Sequence, residues 1–280
     1  MLSLAVCLLS WLSPFEVSWE PAAPVNGAPC LFRVKPGEPL KSLRGSWLGR
    51  QVFFHFDPGG GVWYGLSGVG LDAAPGTYQL QLEGLTAGGA KASFSQAVTV
   101  GKASYRTIAL SVPRKYTEPD AETLARVKRE QELKSRVFGR VSDERGWSGR
   151  FAAPVPSGTS EVFGTQRTFN GVRQGVHQGL DYRSPTGTPV GAMNGGTVVL
   201  ARDLFYEGNC VVIDHGQGLL TLYLHLSAFR AKEGDRVTRG QVIGLSGATG
   251  RVTGPHLHTA VRWHGVYLNP ATLLTLALPE

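Results

Sequence analysis

Along most of this chain hydrophobic and polar positions alternate in short runs broken by glycine-rich turns. Gln51 to Asp57 (QVFFHFD), Gly76 to Glu83 (GTYQLQLE) and Arg106 to Val112 (RTIALSV) are β-rich or alternating. Turn signals separate them at Asp57-Pro58-Gly59-Gly60-Gly61, Ala74-Pro75-Gly76 and Ala87-Gly88-Gly89. Short strands at this spacing predict a small β-sandwich over residues 25–113, immunoglobulin-like in the loose sense. The pattern changes over 114–150, where charges crowd. Pro119 is placed as an early helical residue, with Glu118, Asp120 and Glu122 in the first turn. Lys134 and Arg136 fall near the end and Gly139 follows as a stop. Leu124, Val127, Leu133 and Val137 form only a thin apolar stripe, so this segment reads as a solvated linker helix. Residues 151–280 return to strands: Thr197 to Ala201, Asn209 to Asp214, Leu219 to Leu226, Arg239 to Leu245 and His256 to Trp263. The expected fold is mainly β, with a sandwich, a linker helix and a C-terminal antiparallel β domain.

At the N-terminus, Leu2 to Leu12 is an apolar run interrupted only by serines. It matches a signal-peptide core in size and is too short to span a bilayer. It lacks a preceding basic residue and a clean cleavage site, so residues 1–24 read as a signal peptide or an N-terminal anchor. Either implies export, and no other segment approaches membrane-spanning length.

Composition sharpens this picture in two ways. The 37 glycines among 280 residues are about twice the usual share, as a strand-and-turn protein requires, and a 42% hydrophobic content excludes disorder. The net charge of +7 raises the question of a polyanion partner. It is spread thinly, with +2 each over residues 1–113, 114–145 and 151–280 and Arg150 adding one. A phosphate-tracking surface needs clustered charge, so a nucleic-acid partner is not expected. No glycine-rich loop lies between a strand and a helix, which argues against dinucleotide and P-loop folds. Cys7, Cys30 and Cys210 make no disulfide framework; Cys30 and Cys210 read as separate buried thiols.

The chemistry concentrates in histidines, five of seven lying between positions 177 and 258. In His177-Gln-Gly-Leu-Asp181, glycines at 175 and 179 disfavour a helix, and an extended chain would project His177 and Asp181 to one face. Imidazole and carboxylate are ordinary zinc ligands. In Gly254-Pro-His-Leu-His258, strand alternation puts His256, His258 and Ala260 together. In Leu219-Leu-Thr-Leu-Tyr-Leu-His225, the leucines at 220, 222 and 224 take a face suited to a core. Thr221, Tyr223 and His225 take the other, suited to a polar groove.

With these residues in place, the C-terminal region resembles the M23 zinc peptidases, the LytM or lysostaphin-like peptidoglycan endopeptidases. The resemblance rests on Phe163-Gly-Thr-Gln-Arg167, Phe169-Asn-Gly171, His177-x-x-x-Asp181, Val211-Val-Ile-Asp-His-Gly216 and Tyr223-Leu-His225. It continues through Gly247-Ala-Thr-Gly-Arg-Val-Thr-Gly-Pro-His-Leu-His258. It implies a LytM-type peptidase domain over 151–280, with His177, Asp181 and His258 holding one zinc ion and His225 and His256 as the second pair of active-site histidines. Three protein ligands leave a fourth position open, as catalytic zinc needs. The implied activity is a zinc endopeptidase cutting peptide cross-links or stem peptides of peptidoglycan, exported to the bacterial cell envelope and acting as a monomer. The alternative is a catalytically silent LytM-like regulator of another wall hydrolase. Such relatives lose ligands, whereas all five positions are filled here.

Other candidates read as structural. His55 stands alone in a strand; Asp214 and His215 read as turn residues or supports for the site; His264 is expected to be exposed. Asn170 reads as a turn residue, and Cys210 as core. The phrase Lys232-Glu-Gly-Asp-Arg-Val-Thr-Arg-Gly-Gln-Val-Ile-Gly-Leu245 is similar to biotinyl and lipoyl carrier domains. Those carriers present a lysine, and Ala192-Met193-Asn194 has asparagine instead, which excludes that reading.

Overall fold

The computed structural model describes residues 15–280, with the backbone alone at 172–174; the Leu2–Leu12 run lies outside the described residues. Residues 15–100 form two four-stranded antiparallel sheets. One takes Phe15–Glu20, Pro29–Pro36, Val62–Gly68 and His55–Asp57 in that spatial order, so the sheets begin at Phe15, within the stretch 1–24 expected to be a signal peptide or anchor, and not at residue 25. The other takes Arg50–Phe53, Leu40–Trp47, Gly76–Thr86 and Lys91–Val100. Gly76–Thr86 alternates as its sequence suggests, with Leu80 and Leu82 buried. The two sheets meet through side chains such as Phe32 and Trp47, whose rings pack edge to face at 5.1 Å.

A larger antiparallel sheet carries the chemistry. Its strands are β1 (Thr159–Glu161), β2 (Leu180–Tyr182), β3 (Gly196–Leu204), β4 (Gly208–Asp214), β5 (Leu219–Leu226), β6 (Arg236–Val237), β7 (Leu257–Trp263) and β8 (Val266–Leu268). The spatial order is β1-β2-β7-β5-β4-β3-β6, with β8 on the side of β7. Cross-strand partners share a face, so the pairs Asp181–His258, Leu224–His258 and Leu222–Ala260 define one side. The pairs Tyr223–Thr259, Thr221–Val261 and Leu219–Trp263 define the other. That second side joins a hydrophobic core running without interruption from Leu31, Phe32 and Trp47 through Trp147 to Tyr223, Trp263 and Leu268. The contact is close: a Cβ added at Gly68 would overlap the Leu268 side chain.

The charged segment forms helix α1 (Ala121–Phe138), capped by Asp120, whose side chain accepts from Thr123 N at 2.8 Å. Pro119 and Glu118 therefore precede the helix instead of lying in its first turn. Gly139 ends it as expected. The helix is not merely a solvated linker. Leu133, Val137 and Phe138 seat on Leu200, Leu204, Leu222 and Ala260, the face that bears His258. Arg126 pairs with Asp203 at 2.9 Å, and Lys134 pairs with Glu207. Only the outer part of the stripe is bare, with Leu124 53% exposed.

The strand expected near Arg106–Val112 forms as Thr107–Leu110, but it pairs downstream, in parallel with Gln166–Phe169. Local pattern identified a strand; its partner, more than fifty residues away, is a tertiary choice. Cys30 and Cys210 are free and buried in different clusters, as two separate thiols. Among the described residues no helix is long and apolar enough to cross a membrane.

Candidate active site

His177, Asp181 and His258 converge. His177 Nε2 lies 3.0 Å from Asp181 Oδ1 and 2.9 Å from His258 Nδ1, and His258 Nδ1 lies 2.7 Å from Asp181 Oδ1. The register explains half of this, because Asp181 on β2 sits opposite His258 on β7. His177 arrives differently from the expected single strand. It lies in the break between strand Val172–Val176 and β2, and its ring reaches back to Asp181. Gly179 makes the approach possible, since a Cβ there would overlap Thr259 O and His258 Nε2.

The donor atoms are of a kind that can hold a metal ion. His177 Nδ1 donates to Val162 O at 3.0 Å, which leaves Nε2 as a lone pair. That lone pair faces a carboxylate oxygen and a second imidazole nitrogen in a buried site. Donor atoms this close share a proton when no metal is bound, and a metal ion can take that proton's place among them. Two nitrogens and one oxygen form a normal zinc set, and atoms at tetrahedral zinc distances lie roughly 3.3 Å apart, close to the spacing here. The residues fit a zinc ion.

The site is braced from behind. Arg167 Nη2 bonds Asp181 Oδ2 at 3.0 Å, and its Nε bonds Glu161 Oε1 at 2.8 Å. The sequence held Arg167 within a matched motif but gave it no role; Glu161 carried no signal. Burial works against the charge on Asp181, yet the flanking His258 and His177 overcome it and hold the carboxyl well below its usual range. Burial lowers His258 to about 4, against the pull of Asp181.

His225 and His256 stand beside this cluster, their rings 4.9 Å apart, with His225 6.0 Å from the His258 ring. His225 Nδ1 donates to Thr249 O and His256 Nδ1 to Gly254 O, both at 2.8 Å, which turns both Nε2 atoms away from the backbone; that of His256 lies 3.9 Å from Asp181 Oδ1. Burial, then the neighbouring His258 and His256, push His225 well below the ordinary imidazole pKa. Simple alternation had put His225 with Thr221 and Tyr223, facing a groove. The structure reverses those faces. Thr221 and Tyr223 are fully buried in the main core, and the leucine side of β5 carries the cleft. His225 crosses over because the β4–β5 register slips between Asn209 and Val211 and its own φ is 64°. A β-bulge thus re-aims one side chain.

The residues read as structural are accounted for. His215 is buried, with Nδ1 2.6 Å from Gly195 O and Nε2 2.7 Å from Thr221 Oγ1. Asp214 Oδ1 accepts from Gly216 N in the following turn. His55 pairs with Gln217. His264 is not exposed: it is half-buried at φ 44°, stacked on Phe53, because the N-terminal strands cover that end of β7. Asn170, at φ 50°, does more than turn the chain, binding Val112 N and Val112 O through its amide at 3.1 Å each.

The five residues line one cavity of about 830 Å³ that runs beneath α1. A profile of Peptidase family M23 matches residues 175–270. The chain is similar to Peptidoglycan DD-endopeptidase ShyA of Vibrio cholerae, 56% identical over 86 residues, covering 31% of this chain and 20% of that protein. It is also similar to DD-carboxypeptidase/endopeptidase Mpg of Neisseria meningitidis, 47% identical over 105 residues, covering 38% and 24%. The chain thus spans about a fifth to a quarter of the length of these curated relatives. Across nearly its whole length it resembles a crystal structure from Pseudomonas aeruginosa assigned to peptidase M23, at TM-score 0.68 and 30% identity, covering 90% of this chain and 95% of the other. The chain belongs to peptidase family M23.

Proposed function

We propose that this protein is a zinc-dependent endopeptidase that hydrolyses peptide cross-links or stem peptides of bacterial peptidoglycan. The observation that carries the reading is the meeting of His177 Nε2, Asp181 Oδ1 and His258 Nδ1 within 3.0 Å, beside two histidines each anchored through Nδ1 to a backbone carbonyl. The similarity to enzymes named for peptidoglycan cleavage supports the substrate class.

His177, Asp181 and His258 would hold the zinc ion. When bound, zinc supplies Lewis-acid polarisation of the peptide carbonyl and activates water near neutral pH. His225 and His256 then do the work this chain contributes directly. Their Nδ1–H bonds to backbone carbonyls lock the rings, and each Nε2 can exchange a proton with the reacting groups or donate to a developing oxyanion. No glutamate stands in the cluster as an alternative base among the described residues; Glu161 is held by Arg167. The proposed site of action is the cell envelope, a reading supported by the apolar run Leu2 to Leu12.

Digestion of purified peptidoglycan, with fragments read by mass spectrometry, tests this. Zinc-loaded protein should release peptides cut at a defined bond, and chelated protein should not. Uncut wall in the presence of stoichiometric zinc would overturn the enzyme reading and favour a regulator.

A further inference from the structure

Arg251 lies between Gly247 and His256, on the loop that delivers His256 to the cleft, and lines the same cavity as His225 and His256. Its backbone N–H donates to Tyr206 O at 2.9 Å, and the preceding Gly250 O accepts from Tyr116 OH at 2.5 Å. The loop is therefore fixed on both sides. The guanidinium carbon lies 4.7 Å from the ring centroids of both Phe169 and Tyr206. Two aromatic rings hold the head while its polar N–H edge stays available.

That edge has no partner among the described residues. The other cationic groups of the cavity differ. Arg167 is spent on Glu161 and Asp181, Lys134 is paired with Glu207, and Arg183 is exposed. Glu207, the acid whose field reaches Arg251, gives Oε1 to Lys134, and its buried Oε2 makes no hydrogen bond to Arg251. Arg251 itself is half-buried, and burial depresses its pKa, so the protein tolerates a desolvated cation with unused donors. Leaving such a group unpaired is costly, and a ligand that completes it recovers the loss.

We infer that Arg251 is a substrate-binding residue that receives a free carboxylate of the peptide. The inference rests on the peptide-hydrolase reading above and adds a specificity contact to it. A planar fork held by two rings matches the two oxygens of a carboxylate. His256, on the same loop, ties the carboxylate site to the reacting bond. The contact makes and breaks no covalent bond; it positions the substrate.

Calorimetric binding to the metal-free protein tests the inference apart from catalysis. The probes are a synthetic stem pentapeptide ending in D-Ala-D-Ala with its carboxylates free, the same peptide as C-terminal amide, and the same peptide amidated only at its internal acidic residue. The free peptide should bind wild type roughly tenfold more tightly than one of the two amides, which identifies the carboxylate that is read. Arg251→Gln should erase that difference, and Arg251→Lys, which keeps charge without the fork, should shrink it. Both variants should keep the zinc content and melting temperature of wild type. Equal binding of all three peptides by wild type, an unchanged preference in Arg251→Gln, or no binding at all would overturn the inference. Peptidoglycan cleavage separates the two claims. A cut wall with no carboxylate preference leaves the peptidase reading intact and removes the role of Arg251. An uncut wall with a carboxylate preference lost in Arg251→Gln does the reverse.

Discussion

Arg167 grips Asp181 by the oxygen that faces away from the histidines: Nη2 to Oδ2 is 3.0 Å, while Oδ1 points to His177 and His258. The carboxylate is thereby turned so that one oxygen serves the cluster and the other is neutralised from outside. Arg167 is placed in turn by its strand, Gln166–Phe169, which is paired with Thr107–Leu110; Ile108 lies opposite Arg167. Arg167→Gln should therefore weaken zinc binding by roughly 10–100-fold, the usual effect of removing a support behind a metal ligand. Competition against a chromophoric chelator measures it, and an unchanged affinity would show that Asp181 orients itself.

Gly179→Ala offers a second route to the same site without touching a ligand. The added methyl overlaps His258 Nε2 and Thr259 O, so the ring must move. Zinc affinity should fall about tenfold or more, with the fold intact by circular dichroism.

His225→Ala separates metal holding from proton handling. The residue reaches the cleft through the bulge in β5 and contributes no atom to the three-donor cluster. The variant should retain its zinc and lose roughly 10²–10⁴ in kcat, the range for a lost general acid–base group.

His215 makes stability depend on pH. Its pKa is lowered by burial to about 4, against about 6.5 in an unfolded chain. The unfolded state therefore binds more protons between those values, so stability is complete above pH 6.5 and drains away as pH falls toward 4. The loss from this one residue is up to about 3 kcal/mol. Urea unfolding of chelated wild type and His215→Gln at pH 7.5 and 4.5 should show a smaller pH dependence in the variant; equal slopes would place the titration elsewhere.

How much of this was legible in the sequence depends on distance along the chain. Spacing along the chain paired His177 with Asp181 and His256 with His258, but the register that sets Asp181 opposite His258 is a tertiary choice, and only the family resemblance joined the two pairs. His225 was found for the wrong reason. Alternation gave it the face of Thr221 and Tyr223, whereas the slip opposite Cys210 turns it to the side of Leu224. No local pattern announces a bulge that depends on how β4 pairs. Helix α1 was visible from its cap and charges, but its docking on Leu200, Leu222 and Ala260 was not, since Leu133, Val137 and Phe138 are too few to make a strong stripe. The brace of Arg167 and Glu161 was invisible for a similar reason. Its members are ordinary charged residues until β1 and Gln166–Phe169 meet behind Asp181.

The division of labour among the histidines is tested most directly by zinc content per chain, measured by inductively coupled plasma mass spectrometry on wild type and variants purified alike. One zinc per chain is expected in wild type and in His225→Ala, and none in His177→Ala or Asp181→Ala, with hydrolysis abolished in the latter two. A His177→Ala protein that is free of zinc yet fully active on peptidoglycan would contradict the assignment of His177, Asp181 and His258 as the metal site.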